Sequence, residues 1–125
     1  MDKTKTIDLN RFYFIHDDSK TGHPGFIVWK NDELNRYLVV RTDSDKKGEK
    51  PKKERGLKHI TELKHKISKN VERSYIRNRP MLCKRKDIGI LLPDLFIHPD
   101  DMPKIIKVSK NKKELSRSLR PRKKR

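Results

Sequence analysis

One cysteine, Cys83, is all that the 125-residue chain contains, so no internal disulfide can form. That usage fits a reducing compartment, and a cytoplasmic location is expected. Apolar residues are sparse as well, at 31% hydrophobic and 6% aromatic, which limits the chain to one small core. No apolar run approaches the roughly 18 residues of a membrane span, and the N-terminus lacks an apolar signal core. No membrane partner is expected. The phosphate-cradling patterns G-x-x-x-x-G-K and G-x-G-x-x-G are absent, which argues against nucleotide-driven chemistry. The five histidines (His16, His23, His59, His65, His98) and Cys83 show none of the clustered spacing of a zinc site. Neither a metal nor another cofactor is expected.

Charge is what the chain has in excess. Charged residues make up 41% of it, the formal net charge is +17 and the pI is about 10.2. The excess is uneven: residues 1–45 hold 7 Lys/Arg against 8 Asp/Glu, and residues 46–125 hold 27 against 9. The front half reads as an ordinary folding nucleus. The back half supplies electrostatic attraction to a polyanion, whether DNA, RNA, an anionic membrane or an acidic protein.

Three strands are predicted in the front half: Arg11 to His16, Pro24 to Lys30 and Arg36 to Arg41. Pro24 sits at a strand start, where a missing N–H is tolerated. Asn31 to Asn35 makes the second and third strands a hairpin. The apolar run Tyr37 to Val40 predicts burial on both faces. Residues 43–56, DSDKKGEKPKKERG, read as a long cationic loop with nothing to offer a core. Residues 57–68 fit both a helix and a strand, with a strand expected in the second half, Leu63 to Ile67. Ser74 to Ile76 and Met81 to Cys83 are short apolar pieces, and Leu91 to Ile97 is apolar around Pro93. His98-Pro99-Asp100-Asp101 has the marks of a helix start, with Pro in the first turn and acids at the positive dipole end. That helix is expected to reach about Lys110 and to bury Met102, Ile105, Ile106 and Val108. Residues 1–108 form the expected domain, and 109–125 a basic tail, flexible when free, with Leu115 and Leu119 as its only apolar anchors.

Several side chains then stand out. Tyr37-Leu38-Val39-Val40 runs directly into Arg41-Thr42-Asp43-Ser44. Asp and Ser there can end a strand in a turn by satisfying backbone N–H groups. Arg41 beside them offers the planar, multi-donor geometry that suits phosphate. Gly22-His23-Pro24-Gly25 leads into the neighbouring strand, so His23 and Thr42 could fall near one end of one sheet. His23 is either a loop residue or a general acid/base titrating near neutrality. Arg77-Asn78-Arg79-Pro80 and Lys84-Arg85-Lys86-Asp87 form two cationic knots that read as a phosphate track. Cys83, next to three cations, could carry a reactive thiolate, although a lone Cys after Met-Leu is more often core. Tyr75 and Trp29 could stack bases, which favours single-stranded RNA over DNA.

These segments resemble the MazF/PemK-type toxins, small β-barrel endoribonucleases of bacterial toxin–antitoxin systems. Gly22-His23-Pro24-Gly25-Phe26-Ile27-Val28 is similar to that family's G-x-R-P-like start of an apolar strand, with His23 where the family typically has Arg. Val39-Val40-Arg41-Thr42-Asp43-Ser44 is similar to the strand that ends in Thr. Lys84-Arg85-Lys86-Asp87-Ile88-Gly89 is similar to the family's R-T/K-x-D-like segment. The likeness spans about residues 10–90. It implies a mainly β fold with a C-terminal helix (α+β), built as a small SH3-like barrel with a long basic loop and a basic tail. It also implies metal-independent cleavage of single-stranded RNA through the ribose 2′-hydroxyl, an antitoxin partner and a homodimer. By the same likeness His23, Thr42 and Arg79 are the catalytic candidates, with Arg85 as an alternative to Arg79. Arg41, Ser44, Arg77, Lys84, Arg85, Lys86, Arg120 and Arg122 are the expected nucleic-acid contacts. A second reading needs no catalysis: a basic nucleic-acid-binding accessory protein of a phage, plasmid or mobile-element ribonucleoprotein system.

Overall fold

Three apolar, β-branched stretches build the frame: β1 (Phe12–Ile15), β2 (His23–Asn31) and β3 (Arg36–Asp45), paired antiparallel in chain order. The computed structural model describes residues 6–17, 21–52, 54 and 56–110. The β2–β3 hairpin closes through two asparagines. Asn31 accepts the Leu34 N–H at 3.0 Å, and Asn35 takes the left-handed conformation at φ 54°. Asparagine tolerates that region better than most residues. Gly25 lies where β1, β2 and β3 press together, and a β-carbon there would overlap the side chains of Ile15 and Val39.

Four shorter strands follow: β4 (Ile60–Glu62), β5 (Arg73–Arg77), β6 (Met81–Cys83) and β7 (Ile88–Leu91), before the helix α1 (Met102–Ser109). The sheet order is β4-β5-β3-β2-β1-β7, with β6 also paired to β3. β3 is the spine. One edge pairs with β2, while the other pairs with β6 over Tyr37–Val39 and with β5 over Thr42–Asp45. Both sheet faces are covered. Ile7, Tyr13, Ile15, Ile27, Tyr37, Val39, Cys83 and Ile88 pack on one side. Phe12, Phe26, Val40, Leu63, Ile67 and Ile76 pack on the other, beneath Ile105 and Val108 of α1. A fully buried Ile or Val contributes roughly 1.5–3 kcal/mol, so these two side chains dominate the docking of so short a helix. No described helix is long and apolar enough to cross a membrane.

The mainly β fold with a C-terminal helix is as expected, and so is burial of Tyr37 to Val40 on both faces. The barrel is not. Among the described residues the sheet stays open, with β4 and β7 at its two ends, unpaired with one another. β3 continues past Arg41 to Asp45, so Thr42, Asp43 and Ser44 lie within a strand and not in a turn. The strand expected at Leu63 to Ile67 is replaced by β4 and an irregular segment. There the buried Asp101 carboxylate takes the N–H groups of Lys64 and His65, both at 2.8 Å, and so removes them from any ladder. Ile106 is 44% exposed, because one face of an eight-residue helix reaches the core and Ile105 and Val108 occupy it. A 3-10 turn, Pro99–Asp101, precedes α1 and is capped by His98.

The segment 43–56 also departs from expectation. Asp45 is fully buried, and its Oδ2 accepts the Tyr75 hydroxyl at 2.6 Å and Arg73 Nε at 2.9 Å. Arg73 also donates to the Glu49 carbonyl at 2.8 Å, and the Lys52 N–H donates to the Tyr75 hydroxyl. The start of the cationic loop is thereby tied to β5. Tyr75, used up in this knot and fully buried, offers no ring to a base. Trp29 is 45% exposed, on the strand side of an irregularity in the β2–β3 register. Arg120, Arg122 and the anchors Leu115 and Leu119 lie outside the described residues.

Candidate functional site

The site forms where β1 ends, β2 begins and β3 passes from one partner to the next. Gly22, at φ 69°, makes a left-handed turn that any side chain would strain, and it delivers His23 as the first residue of β2. Ile15 pairs with His23, so Asp17 emerges two residues beyond that pairing, beside the ring. Gly25 pairs with Arg41, and the same register sets Thr42 and Asp43 alongside Pro24 and His23. β5 brings Arg77 to the other side.

The result is a chain of alternating charge. The Asp17 Oδ2 atom receives His23 Nδ1 at 2.7 Å and an Arg41 Nη1 at 3.1 Å, with the Asp17 side chain only 2% exposed. Arg77 Nε donates to Asp43 Oδ2 at 2.8 Å. His23 Nε2 faces two groups: Asp43 Oδ1 at 3.4 Å and Arg77 Nη2 at 3.1 Å. Those contacts require different protonation states. A neutral ring with its proton on Nδ1, held by Asp17, presents the Nε2 lone pair to Arg77. A protonated ring donates from Nε2 to Asp43. The ring can thus take up and release a proton at one defined atom while Asp17 fixes the other.

The hydrogen bond to Asp43 is the main cause that holds the His23 pKa above the usual histidine value; it outweighs burial, and Asp17 adds to it. Burial alone would raise the Asp43 carboxyl, but His23 and Arg77 together hold it below the usual carboxylate range. A raised histidine stabilises the fold fully below about pH 6.5, and loses that as pH rises through the raised value. A depressed carboxyl stabilises fully above about pH 4, and loses that as pH falls through the depressed value. Both contributions are complete between about pH 4 and pH 6.5. Urea midpoints of the wild type should therefore decline between pH 6.5 and 8.5, more steeply than those of His23→Gln. Parallel slopes in the two proteins would contradict the assignment.

A cleft of about 480 Å³ opens at this point, lined by Thr21, Gly22, His23, Thr42, Asp43, Ser44 and Lys46 from the sheet side and by Ile67, Ser68, Val71 and Leu95 opposite. Thr42 is fully buried in its wall, and its hydroxyl donates to the Pro24 carbonyl at 3.1 Å. It fixes the approach of β2 to β3 beside His23. Ser44 lies 3.3 Å from the Ser74 hydroxyl.

The structure therefore brings His23, Arg41, Thr42, Ser44 and Arg77 into one neighbourhood. Arg79 is exposed in the β5–β6 connection, two residues beyond Arg77. Lys84, Arg85 and Lys86 sit elsewhere. Cys83 pairs with Tyr37, five positions before Thr42, which is about 17 Å along β3. Arg85 there donates to the Tyr37 hydroxyl at 2.9 Å and lies 3.7 Å from Asp32, bracing the hairpin turn. The first knot thus lies beside the middle of the spine strand, where β5 gives way to β6, and the second beside its start. Cys83 is buried, and burial pushes its thiol up to about 12 in spite of the adjacent cations, so it carries no thiolate at neutral pH.

One contributor to the site escaped the sequence reading: Asp17 read as loop composition, and only the β1–β2 register puts it against His23. Away from this site, His65 comes to lie beside His98 and Asp100, more than thirty positions on, without a zinc-like spacing.

No family model matches the chain, and no curated protein does. Among the solved structures that share its fold are two endoribonucleases. One is an endoribonuclease in complex with its cognate antitoxin from a mycobacterial species, with TM-score 0.52 and 14% identity, covering 93% of this chain and 100% of that one. The other is an endoribonuclease from a mycobacterial species, with TM-score 0.52 and 14% identity, covering 95% of this chain and 100% of that one.

Proposed function

We propose that this chain is a toxin–antitoxin type endoribonuclease that cleaves single-stranded RNA without a metal. The observation that carries the reading is His23, held by Asp17 through one nitrogen and open to proton exchange at the other, at the mouth of a cleft. In this mechanism Nε2 accepts the proton of a ribose 2′-hydroxyl as that oxygen attacks the adjacent phosphorus. The bond from phosphorus to the 5′-oxygen breaks, and that oxygen takes a proton from water. The products are a 2′,3′-cyclic phosphate and a 5′-hydroxyl end. Arg77 and Arg41 turn part of their donor capacity to the phosphate, where preorganised cations act most strongly on the transition state. Thr42 acts as a positioning residue for His23. Arg79, Ser44 and Lys46 extend the phosphate contacts around the rim. The tail 109–125, with Arg120 and Arg122, adds sequence-independent attraction, and Lys84 and Lys86 hold more distant nucleotides. The shared fold supports this reading, since two of the structures it matches are endoribonucleases and one of those was solved with its antitoxin. A protein antitoxin is accordingly the proposed partner, in the cytoplasm, with the toxin a homodimer.

One feature favours the second reading, a protein that binds nucleic acid without cutting it: both arginines beside His23 are already engaged by carboxylates. A single assay separates the two. Labelled single-stranded RNA is incubated with protein in EDTA, beside a DNA strand of the same sequence. Cutting of the RNA alone, lost in His23→Ala, establishes chemistry through the 2′-hydroxyl. RNA that is retarded but intact moves the function to binding. Cleavage unchanged in both His23→Ala and Thr42→Ala removes the site proposed here.

A further inference from the structure

The strongest group of unassigned side chains lies at the start of α1. His65, from the irregular segment after β4, and His98, the cap of the 3-10 turn, stack with ring centroids 3.7 Å apart and 18° between planes. Asp100 Oδ2 lies 3.0 Å from His65 Nε2 and 3.6 Å from His98 Nδ1. We propose that His65, His98 and Asp100 bind a late first-row divalent metal ion such as Zn²⁺ or Ni²⁺, with water completing the coordination.

Four observations carry this. The donor set, two imidazoles and a carboxylate, is the one such ions prefer. The spacing is right: two donors about 2.0–2.2 Å from one tetrahedral ion stand roughly 3.4 Å apart, between the two separations seen here. His65 Nε2 faces the Asp100 carboxylate at 3.0 Å, where an ion would replace the shared hydrogen. His98 Nδ1 accepts the Asp100 N–H at 3.0 Å, so it presents a lone pair. An ion would take this lone pair in exchange for the cap bond. Finally, the donors are held in place by a second group. Asp101, fully buried, accepts the N–H groups of Lys64 and His65, while its own N–H donates to the His98 carbonyl at 2.8 Å. One residue thus positions both histidine backbones, His65 through its carboxylate and His98 through its N–H, the kind of outer support that metal sites use. The Lys64 ammonium, 4.0 Å from Asp100, is the competing cation.

All three donors are partly exposed, so an ion can enter without unfolding. None of them lines the cleft at His23. The proposal is independent of the ribonuclease reading, and it is tested without RNA. A bound ion would clamp the segment after β4 to the start of α1.

The test uses the full chain without a histidine tag, titrated with Zn²⁺ by calorimetry and with Co²⁺ by absorbance. Wild type should show one saturable site. His98→Asn keeps a capping side chain but removes the imidazole, and His65→Gln keeps a hydrogen-bonding group. Each should weaken binding at least about tenfold, with His16→Ala and His59→Ala unchanged. Thermal melting should rise with Zn²⁺ in the wild type and not in the double variant. Absence of saturable binding to the wild type would overturn the proposal. So would wild-type affinity in the folded double variant.

Discussion

Replacing His23 with alanine should slow cleavage of single-stranded RNA in EDTA by about two to four orders of magnitude, the usual contribution of a positioned general acid/base. The ring offers a proton-exchanging nitrogen that no neighbour can replace. Asp17 and Asp43 would remain paired with Arg41 and Arg77, so the variant keeps its charge balance. It loses hydrogen bonds to charged partners, each worth roughly 1.5–3 kcal/mol, which leaves it less stable but folded at moderate temperature. Circular dichroism checks that it is folded, and gel retardation checks that it still holds RNA. Asp43→Asn supplies a readout that a structural role would not move. Asp43 is the chief group raising the His23 pKa, so the rising limb of the rate–pH profile should shift to lower pH in this variant. A His23→Ala protein that cuts RNA within a few fold of wild type would end the mechanism, whatever its stability.

Asp45→Ala should cost the fold about 3 kcal/mol, the low end for breaking a buried ion pair by removing one partner. The low end applies because Arg73 and Lys52, left behind, are 27% and 19% exposed and regain some water. The Tyr75 hydroxyl fares worse. It is buried, and it would lose the 2.6 Å acceptor that now takes its proton. For a domain of this size the melting temperature should fall on the order of 10 °C. The loss should be local as well. Lys52 reaches the sheet through that same hydroxyl, so the loop after β3 should become the first site of limited proteolysis. Asp45→Asn keeps the shape and gives up the charge, and should fall between the two. A melting temperature for Asp45→Ala within about 3 °C of wild type would show that the knot contributes little.

What the sequence made legible was local. The aromatic and β-branched runs at Phe12, Phe26 and Tyr37 specify strands through neighbouring residues, and Asn31 and Asn35 specify their hairpin. Pro99 and the acids beside it mark the approach to α1. His23, Arg41 and Thr42 could be placed together because a hairpin register follows from its turn. The remainder depends on partners that are distant along the chain. Arg77 meets His23 across 54 positions, and Asp101 diverts the Lys64 amide across 37. No pattern within a window of residues encodes either contact. Asp45 misled for a related reason. A carboxylate between Ser44 and Lys46 reads as solvent-facing, until Arg73 and Tyr75 arrive from another strand to satisfy it.

The two-sided pairing of β3 has a consequence for the chain as it is made. Its first edge can close against β2 as soon as residue 45 is free. Its second edge waits for β5 and β6, the last of which ends at Cys83. At roughly 5–20 residues per second, an apolar strand edge stays open for about 2–8 seconds of synthesis. The segment that emerges in that interval begins with Lys46, Lys47, Lys50 and Lys52. Lysine is the residue that most effectively discourages edge-to-edge strand addition. Like charge on this stretch would set nascent copies against one another until the spine strand is covered.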